Sequence, residues 1–243
     1  MSVQVDLWLW PLTADSGSES EHWRVMSADE RARATRFVFD KHRIRYIHGR
    51  GRLRQILALY TGIAPEDIAF NLSAYDKPSL ANALAKPLFF NLSHSGELAA
   101  LGISGDAELG VDIEWIRELK EDISSRYFSA SECAVLHALP EEAQPRAFFE
   151  CWSRKEAYIK ASGEGLSIPL NSFDVAFGPG VAPRFLRIDE PQPHNPEDWR
   201  LYAFEPEAGC MGAMAAKTNG AALNVNAAAS EADAAAFCAR LGA

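Results

Sequence analysis

Helical and strand-like segments follow one another in the same order twice along this sequence. An alternating segment at residues 3–10 precedes a short helical segment, a long one and several strand-like runs. From residue 109 the order returns, with an alternating segment, a short helix, a long helix and further strand-like runs. Helices followed by strands, twice over, predict an α+β fold of two similar halves. We therefore divide the chain into 1–104 and 105–220, with a tail at 221–243.

Local signals indicate where the helices begin. Ser27 with Glu30, and Ser129 with Glu132, have the spacing of a capping box, in which each end of the pair bonds the backbone of the other. Each box opens a short helix. Because the two boxes lie in the two proposed halves, they fit the duplicated arrangement.

The long helical segments run from about residue 41 to 60 and from about 145 to 162. Asp40 is placed to cap the first of them. Gly49 lies inside that helix, where the missing side chain leaves room for something to approach the backbone. A contact with another helix is the equal alternative.

Composition excludes several classes of protein. With 48% hydrophobic residues the chain can bury a core, and a formal charge of −9 argues against a nucleic-acid binder that relies on bulk positive potential. No apolar run approaches the roughly 20 residues that a membrane span needs, and the first residues do not resemble a signal peptide. The cysteines lack metal-ligand spacing and indicate reduced thiols of a cytoplasmic protein: Cys133, Cys151, Cys210 and Cys238.

One strip of the sequence is basic although the whole chain is acidic. Between Arg31 and Arg54 there are nine arginine or lysine residues and a single acid, Asp40. Such a strip indicates a local site for an anion, such as a phosphorylated ligand. A solvated helix face is the alternative.

Two carboxylates lie in an apolar strand-like segment, at Asp112 and Glu114. Residues two apart on a strand point to the same face, so the two carboxylates repel each other and lose hydration. A cation between them relieves both effects, and a site made only of oxygen ligands favours Mg²⁺ or Mn²⁺. A solvent-facing edge strand remains the alternative.

The second long helix carries an unusual face. Trp152, Glu156 and Lys160 are spaced four apart and lie along one side of it. Glu156 is a candidate third carboxylate for the metal, and Lys160 would then lie one turn further on, beside a transferring phosphate. A surface Glu–Lys pair, worth about 0.2–0.5 kcal/mol, is the alternative.

Five motifs in order make this sequence similar to a known family. The segments Gly110-Val-Asp-Ile-Glu114 and Trp152-Ser-Arg-Lys-Glu-Ala-Tyr-Ile-Lys160 resemble the two signature motifs of the 4′-phosphopantetheinyl transferase superfamily. Three more segments resemble its Sfp-like, surfactin-synthetase-activating branch: Asp76-Lys-Pro78, Asn91-Leu-Ser-His-Ser95 and Gly163-Glu-Gly-Leu-Ser167. The resemblance implies the fold of that family, with two similar α+β halves related by pseudo-twofold symmetry.

The resemblance also implies roles for single residues. Asp112, Glu114 and Glu156 match the magnesium ligands, for which Mn²⁺ is an alternative ion, and Lys160 matches the lysine near the reacting phosphate. Glu132 matches a glutamate proposed as general base, with capping as the alternative. Contacts with coenzyme A are implied for five residues: Arg45, Lys77, Ser93, His94 and Lys155. Where the family often has a lysine this chain has Glu30, which leaves Arg31 or Arg33 open as its substitute.

The implied activity is transfer of the 4′-phosphopantetheine group of coenzyme A to a serine of an apo carrier protein of the acyl, peptidyl or polyketide type. We expect a cytoplasmic monomer with an internal pseudo-dimer, and neither a nucleic acid nor a membrane as partner. Two other functions stay open. One is a metal-dependent nucleotide pyrophosphatase, with water as nucleophile. The other is a non-catalytic module that binds coenzyme A or a carrier protein.

Overall fold

The computed structural model describes residues 2–13, 16–119, 122–189 and 195–241 and contains the same succession of elements in two halves. Each half begins with a strand, continues through short helices and one long helix, and ends with four strands. In each half the first strand pairs antiparallel with the last one, which also pairs with the strand before it. The predicted α+β fold with two similar halves is confirmed.

The N-terminal half packs a long helix on its main sheet. Its elements are β1 (Ser2–Pro11), α1 (Ser16–Val25), α2 (Ala28–Ala34), α3 (Asp40–Thr61), β2 (Phe70–Leu72), β3 (Pro78–Leu80), β4 (Phe89–Ser95) and β5 (Leu98–Ser104). The sheet order is β1-β5-β4, and β2 pairs with β3. The predicted long helix is confirmed as α3, but Asp40 is its first residue rather than its cap. Phe39 is the cap residue and makes no side-chain cap bond.

The C-terminal half repeats this plan. Its elements are β6 (Leu109–Trp115), α4 (Ser124–Tyr127), α5 (Ala130–His137), α6 (Gln144–Ser162), β7 (Phe173–Val175), β8 (Phe185–Ile188), β9 (Trp199–Phe204) and β10 (Cys210–Lys217). The sheet order is β6-β10-β9, and β7 pairs with β8. In both sheets the first strand of the half pairs with the last one, and the last one pairs with the strand before it. The two halves therefore share a sheet topology and not only the order of their helices and strands along the chain.

The last segment of the chain returns to the N-terminal half. Strand β11 (Ala222–Asn226) pairs in parallel with β1, and helix α7 (Glu231–Leu241) places Phe237 against Tyr60 of α3, with ring centroids 4.9 Å apart. The structure thus corrects the separate tail proposed at 221–243, because burial against β1 and α3 holds this segment to the first half. Residues 242 and 243 of that tail lie outside the described residues.

Buried apolar side chains form one large cluster in each half and a third between the two main sheets. The third cluster joins Leu7 and Ala100 of the first half to Val111 and Met214 of the second. Because each buried aliphatic side chain contributes about 1.5–3 kcal/mol, this cluster fixes the halves against each other. None of the described helices has the length and apolarity of a membrane span.

A buried glutamate ties the short capped helix to the long helix in each half. Both predicted capping boxes are confirmed. In the first half the Glu30 carboxylate accepts hydrogen bonds from Arg50 and Arg54 of α3, each at 2.7 Å. In the second half Glu132 pairs with Lys155 of α6 at 2.7 Å. The caps therefore do more than end a helix, since each glutamate also anchors the long helix of its half.

Helix α6 lies unusually close to β6 because residue 110 is a glycine. A Cβ atom added to Gly110 would lie 2.2 Å from the carbonyl oxygen of Ala157 and 2.3 Å from the amide nitrogen of Ala161. Both atoms belong to helix backbone, so no flexible side chain could move aside. Only glycine permits this approach of α6 to the strand.

A second close approach joins α1 to α3. A Cβ atom on Gly51 would lie 2.3 Å from the Cβ of His22, whereas one on Gly49 would make an ordinary 3.6 Å contact with Leu12. The helix–helix contact that was one reading of Gly49 therefore occurs two residues later, at Gly51.

We predict that Gly110→Ala lowers the free energy of unfolding by about 1–3 kcal/mol or more, because the added methyl group overlaps the backbone of α6. Urea unfolding measures the change. The matched control is Gly49→Ala, which has room for the methyl group and gains helix propensity, so we expect no loss and up to about 1 kcal/mol of gain. Equal effects of the two substitutions would contradict this account of Gly110.

We also predict that Glu132→Gln lowers the free energy of unfolding by about 3–5 kcal/mol, because it leaves the buried ammonium of Lys155 without its counter-charge. Glu142→Gln is the control: the residue is exposed, and changes at such positions stay within about 0.5 kcal/mol. If Glu132→Gln proved as mild as the control in urea unfolding, the pair would not be the anchor described here.

Candidate active site

Strand β4 of the first half lies beside β6 of the second, and polar side chains link them. Asn91 accepts a hydrogen bond from the Val111 amide at 2.8 Å, and Ser95 donates to Glu114 at 3.1 Å. Between them Ser93 bonds Asp112 at 3.2 Å. Asn91, Ser93 and Ser95 are two apart and share a face of β4. This row of side chains sets the position of β6, and of its two carboxylates, against the first half.

Asp112 is the most deeply buried of the three candidate carboxylates, Asp112, Glu114 and Glu156, with 5% of its surface exposed. Its Oδ1 atom accepts from the Lys160 ammonium at 2.6 Å, while its Oδ2 atom is buried and has no hydrogen-bond partner. Burial raises the pKa of the Asp112 carboxyl to about 7; Lys160 opposes this shift, and the charges of Glu156 and Glu114 add to it. A buried acceptor without a donor is costly, so this oxygen is suited to a cation.

Glu114 and Glu156 complete a group of three coupled carboxylates. Glu114 lies two residues after Asp112 on β6. Glu156 lies on α6, the helix whose backbone contacts Gly110, and its charge acts on Asp112. Burial raises the pKa of the Glu156 carboxyl; Lys160 opposes this shift and the charge of Glu114 increases it. All three side chains offer only oxygen atoms, which a hard divalent cation such as Mg²⁺ prefers as ligands. Within the ranges that the structure describes, however, no three His, Cys, Asp or Glu side chains stand in a ready-made metal cluster.

Basic side chains lie near these carboxylates. His94 projects from β4 with its side chain exposed, and Arg45 of α3 pairs with Glu97 at 3.1 Å. Partial loss of hydration lowers the pKa of the His94 imidazole, and the charges of Lys160 and Arg45 lower it further. The charges of Lys160 and Arg45 thus act on His94, and Ser93 bonds both Lys160 and Asp112, so these side chains lie near the carboxylates.

The Lys77 side chain is bonded to backbone carbonyl oxygens of the second half. Its ammonium donates to the carbonyl oxygens of Ala161 at 2.9 Å and Leu109 at 3.4 Å. Burial lowers the pKa of this ammonium, and Glu108 partly opposes the shift. Lys77 thus ties a loop of the first half to the end of α6 and the start of β6. A contact between Lys77 and a phosphate would require these bonds to be given up.

Two predicted site residues are in the interior. Lys155 is fully buried and donates to Glu132 and to the carbonyl oxygens of Leu170 and Phe173 at 2.7 and 2.6 Å. Glu132 is 2% exposed and also accepts from the amide of Val175. Glu132 thus forms the capping box that was its alternative role, and the coenzyme A contact predicted for Lys155 would require this lysine to give up three buried bonds.

Several arginines of the basic strip form ion pairs within the protein. Arg43 bonds Glu19, while Arg50 and Arg54 bond Glu30. Burial would raise the pKa of the Glu30 carboxyl, but Arg50, the Arg54 hydrogen bond and the cap outweigh it, so that pKa is lowered. Glu30 is therefore a structural anion rather than part of a ligand site. Arg33 is exposed and lies over the Tyr46 ring, 5.5 Å from its centre.

Sequence reasoning missed Asn91, Ser95 and Trp115 as parts of the site. The Trp115 indole N–H donates to the Ser95 carbonyl at 3.2 Å, and a Cβ on Gly96 would lie 2.8 Å from the indole nitrogen. The alternation of polar residues at 91, 93 and 95 in an apolar strand was the available signal. It could not be used because the facing strand was unknown.

Comparisons with known proteins identify the family of this chain. Residues 108–211 match the family described as the 4′-phosphopantetheinyl transferase superfamily, and residues 16–105 match 4′-phosphopantetheinyl transferase, N-terminal. The chain is 35% identical over 218 residues to 4′-phosphopantetheinyl transferase HetI of Nostoc sp. strain PCC 7120, covering 88% of each protein. It is 30% identical over 192 residues to 4′-phosphopantetheinyl transferase Sfp of Bacillus subtilis strain 168, covering 78% of this chain and 83% of Sfp. With both halves matched and a relative aligned over most of its length, the chain belongs to the 4′-phosphopantetheinyl transferase superfamily.

Proposed function

We propose that Asp112, Glu114, Glu156 and Lys160 form the reaction centre at which this enzyme transfers 4′-phosphopantetheine from coenzyme A to a serine of an apo carrier protein. The transfer and the co-substrate follow from membership of the family. The observation that supports the site is the group of three coupled carboxylates beside Lys160, with one buried Asp112 oxygen lacking a donor.

Asp112, Glu114 and Glu156 would hold a magnesium ion, or manganese in its place. When bound, such an ion neutralises pyrophosphate charge and polarises the phosphorus under attack. The donor set supports this assignment because it contains only oxygens and includes a buried acceptor without a hydrogen bond. No protein nitrogen or sulfur is part of the set.

The remaining residues bind and orient coenzyme A. Arg45 and His94 are placed to hold the 3′-phosphate of the nucleotide, with the Ser93 hydroxyl beside them. The carrier serine oxygen forms a bond to the phosphorus that bears pantetheine, and the bond from that phosphorus to the oxygen of adenosine 3′,5′-bisphosphate breaks. Lys160 stabilises the negative charge on the leaving phosphate. With Glu132 buried, we assign the serine proton to a carboxylate of the reaction centre, Glu156.

We also propose that the enzyme acts as a monomer in the cytoplasm. Its internal repeat already supplies two halves around one site, and its four cysteines are free thiols. Nothing in the family supports the two other functions, a nucleotide pyrophosphatase or a non-catalytic binding module.

Mass spectrometry of an apo carrier protein incubated with coenzyme A and Mg²⁺ tests the function. We expect the carrier to gain one phosphopantetheine group, and we expect Asp112→Ala to reduce the rate at least about a thousandfold, since a metal ligand is lost. The control Glu108→Gln changes an exposed carboxylate four residues away and retains transfer. Consumption of coenzyme A without a mass gain would favour the pyrophosphatase, and full activity of Asp112→Ala would remove Asp112 from the site.

A second prediction concerns the 3′-phosphate. We expect coenzyme A to be preferred over dephospho-coenzyme A in kcat/KM, and His94→Ala or Arg45→Ala to narrow the preference by about tenfold or more, the effect of one charged hydrogen bond. Arg43→Ala is the control, because this arginine lies two residues before Arg45, on a different side of the same helix, where it pairs with Glu19. An unchanged preference in both site variants would exclude the two residues from phosphate recognition.

A further inference from the structure

Lys160 binds the same Asp112 side chain that is proposed to bind the metal. Its Nζ lies 2.6 Å from Asp112 Oδ1 and 3.0 Å from the hydroxyl oxygen of Ser93. The Asp112 side chain is 7% exposed, whereas that of Lys160 is 28% exposed. The ammonium is thus the principal positive charge on a carboxylate that is otherwise withdrawn from water.

Lys160 also acts on a second proposed ligand. Glu156 precedes it by four residues on α6, which places the two side chains on one face of the helix. The charge of Lys160 counteracts the effect of burial on the Glu156 carboxyl. One lysine therefore opposes the effect of burial on two carboxylates, Asp112 on β6 and Glu156 on α6.

A divalent cation held by Asp112 would place a second positive charge on the carboxylate that this ammonium already binds, and like charges repel strongly in a partly buried site. The lysine is the group that can move. Its stem is flexible and part of its surface reaches solvent, whereas Asp112 is fixed by β6 and by Ser93. Metal and lysine therefore compete for the same carboxylate.

We propose that Lys160 is a displaceable counter-ion, which holds Asp112 through Oδ1 until the phosphates of coenzyme A draw the ammonium away, so that a metal bound through the free Oδ2 no longer meets a second positive charge on the same carboxylate. This inference rests on the proposed function of the site. It implies that the metal binds weakly to the enzyme alone and tightly together with the nucleotide, because the phosphates give the lysine a new partner. Lys160 then has two roles. It makes tight binding of the metal depend on the nucleotide, and it stabilises the leaving group.

Binding of Mn²⁺ to the enzyme without nucleotide tests the proposal, with the free ion measured by electron paramagnetic resonance. We expect Lys160→Gln to bind Mn²⁺ at least about tenfold more tightly than wild type, because the competing charge is removed. The matched control is Arg117→Gln. Arg117 contacts Glu114 at 3.2 Å, but its side chain is 61% exposed, so its loss should change the Mn²⁺ affinity by less than about threefold.

Thermal unfolding gives a second readout that needs no turnover. Without metal, Lys160→Gln should unfold at a lower temperature than wild type, because the carboxylates lose their counter-ion. Saturating Mn²⁺ should raise its unfolding temperature by more than it raises that of wild type. Circular dichroism before heating verifies that the variant is folded.

Adenosine 3′,5′-bisphosphate probes the coupling. It should tighten Mn²⁺ binding to wild type by a larger factor than to Lys160→Gln, which has no lysine to displace. If Lys160→Gln bound Mn²⁺ no more tightly than Arg117→Gln does, the competition would be rejected, even in an enzyme that transfers phosphopantetheine. Conversely, a wild-type enzyme without transferase activity would reject the proposed function and leave these affinities interpretable.

Discussion

The distance between α6 and β6 determines where the carboxylates and the lysine of the proposed reaction centre lie. Asp112 and Glu114 are on the strand and Glu156 and Lys160 on the helix, so the group exists only if the two elements nearly touch. Gly110 allows this because backbone atoms of α6 occupy the position of its missing side chain. The glycine of the Gly-Val-Asp-Ile-Glu motif is therefore as much a part of the site as the carboxylates that follow it.

The two halves solve one structural problem in the same way. In each, the glutamate of a capping box reaches across to a basic residue of the long helix, Glu30 to Arg54 and Glu132 to Lys155. Such a pair costs hydration but fixes the helix, since removal of one partner leaves a buried charge. By this correspondence Glu132 has in its half the structural role that Glu30 has in the other. The first strand of the second half carries Asp112 and Glu114, whereas the first strand of the first half carries one carboxylate, Asp6, which accepts from the Tyr60 hydroxyl. The proposed reaction centre therefore takes its carboxylates from the second half.

Patterns within about ten residues could be predicted from the sequence. The capping boxes, the two long helices and the carboxylates two apart on β6 all depend on local spacing. The rest depended on partners far away along the chain. Lys77 contacts carbonyls of residues 109 and 161, Lys155 is buried against residues 132, 170 and 173, and β11 returns to β1. A motif identifies the residue types that a site needs, but it does not tell which of two nearby lysines points inward.

The hydrogen bonds of those two lysines explain their different roles. An ammonium has three donors, and Lys155 uses all of them on Glu132 and two carbonyl oxygens in the core. Any movement would leave buried acceptors unsatisfied, so Lys155 is immobile. Lys160, five residues later, bonds a carboxylate and a hydroxyl and keeps part of its surface in solvent. Because its ammonium reaches solvent, Lys160 can exchange partners once another cation compensates the charge of Asp112. A complete set of buried partners makes a lysine structural, and an incomplete one at the edge of a site leaves it free to act.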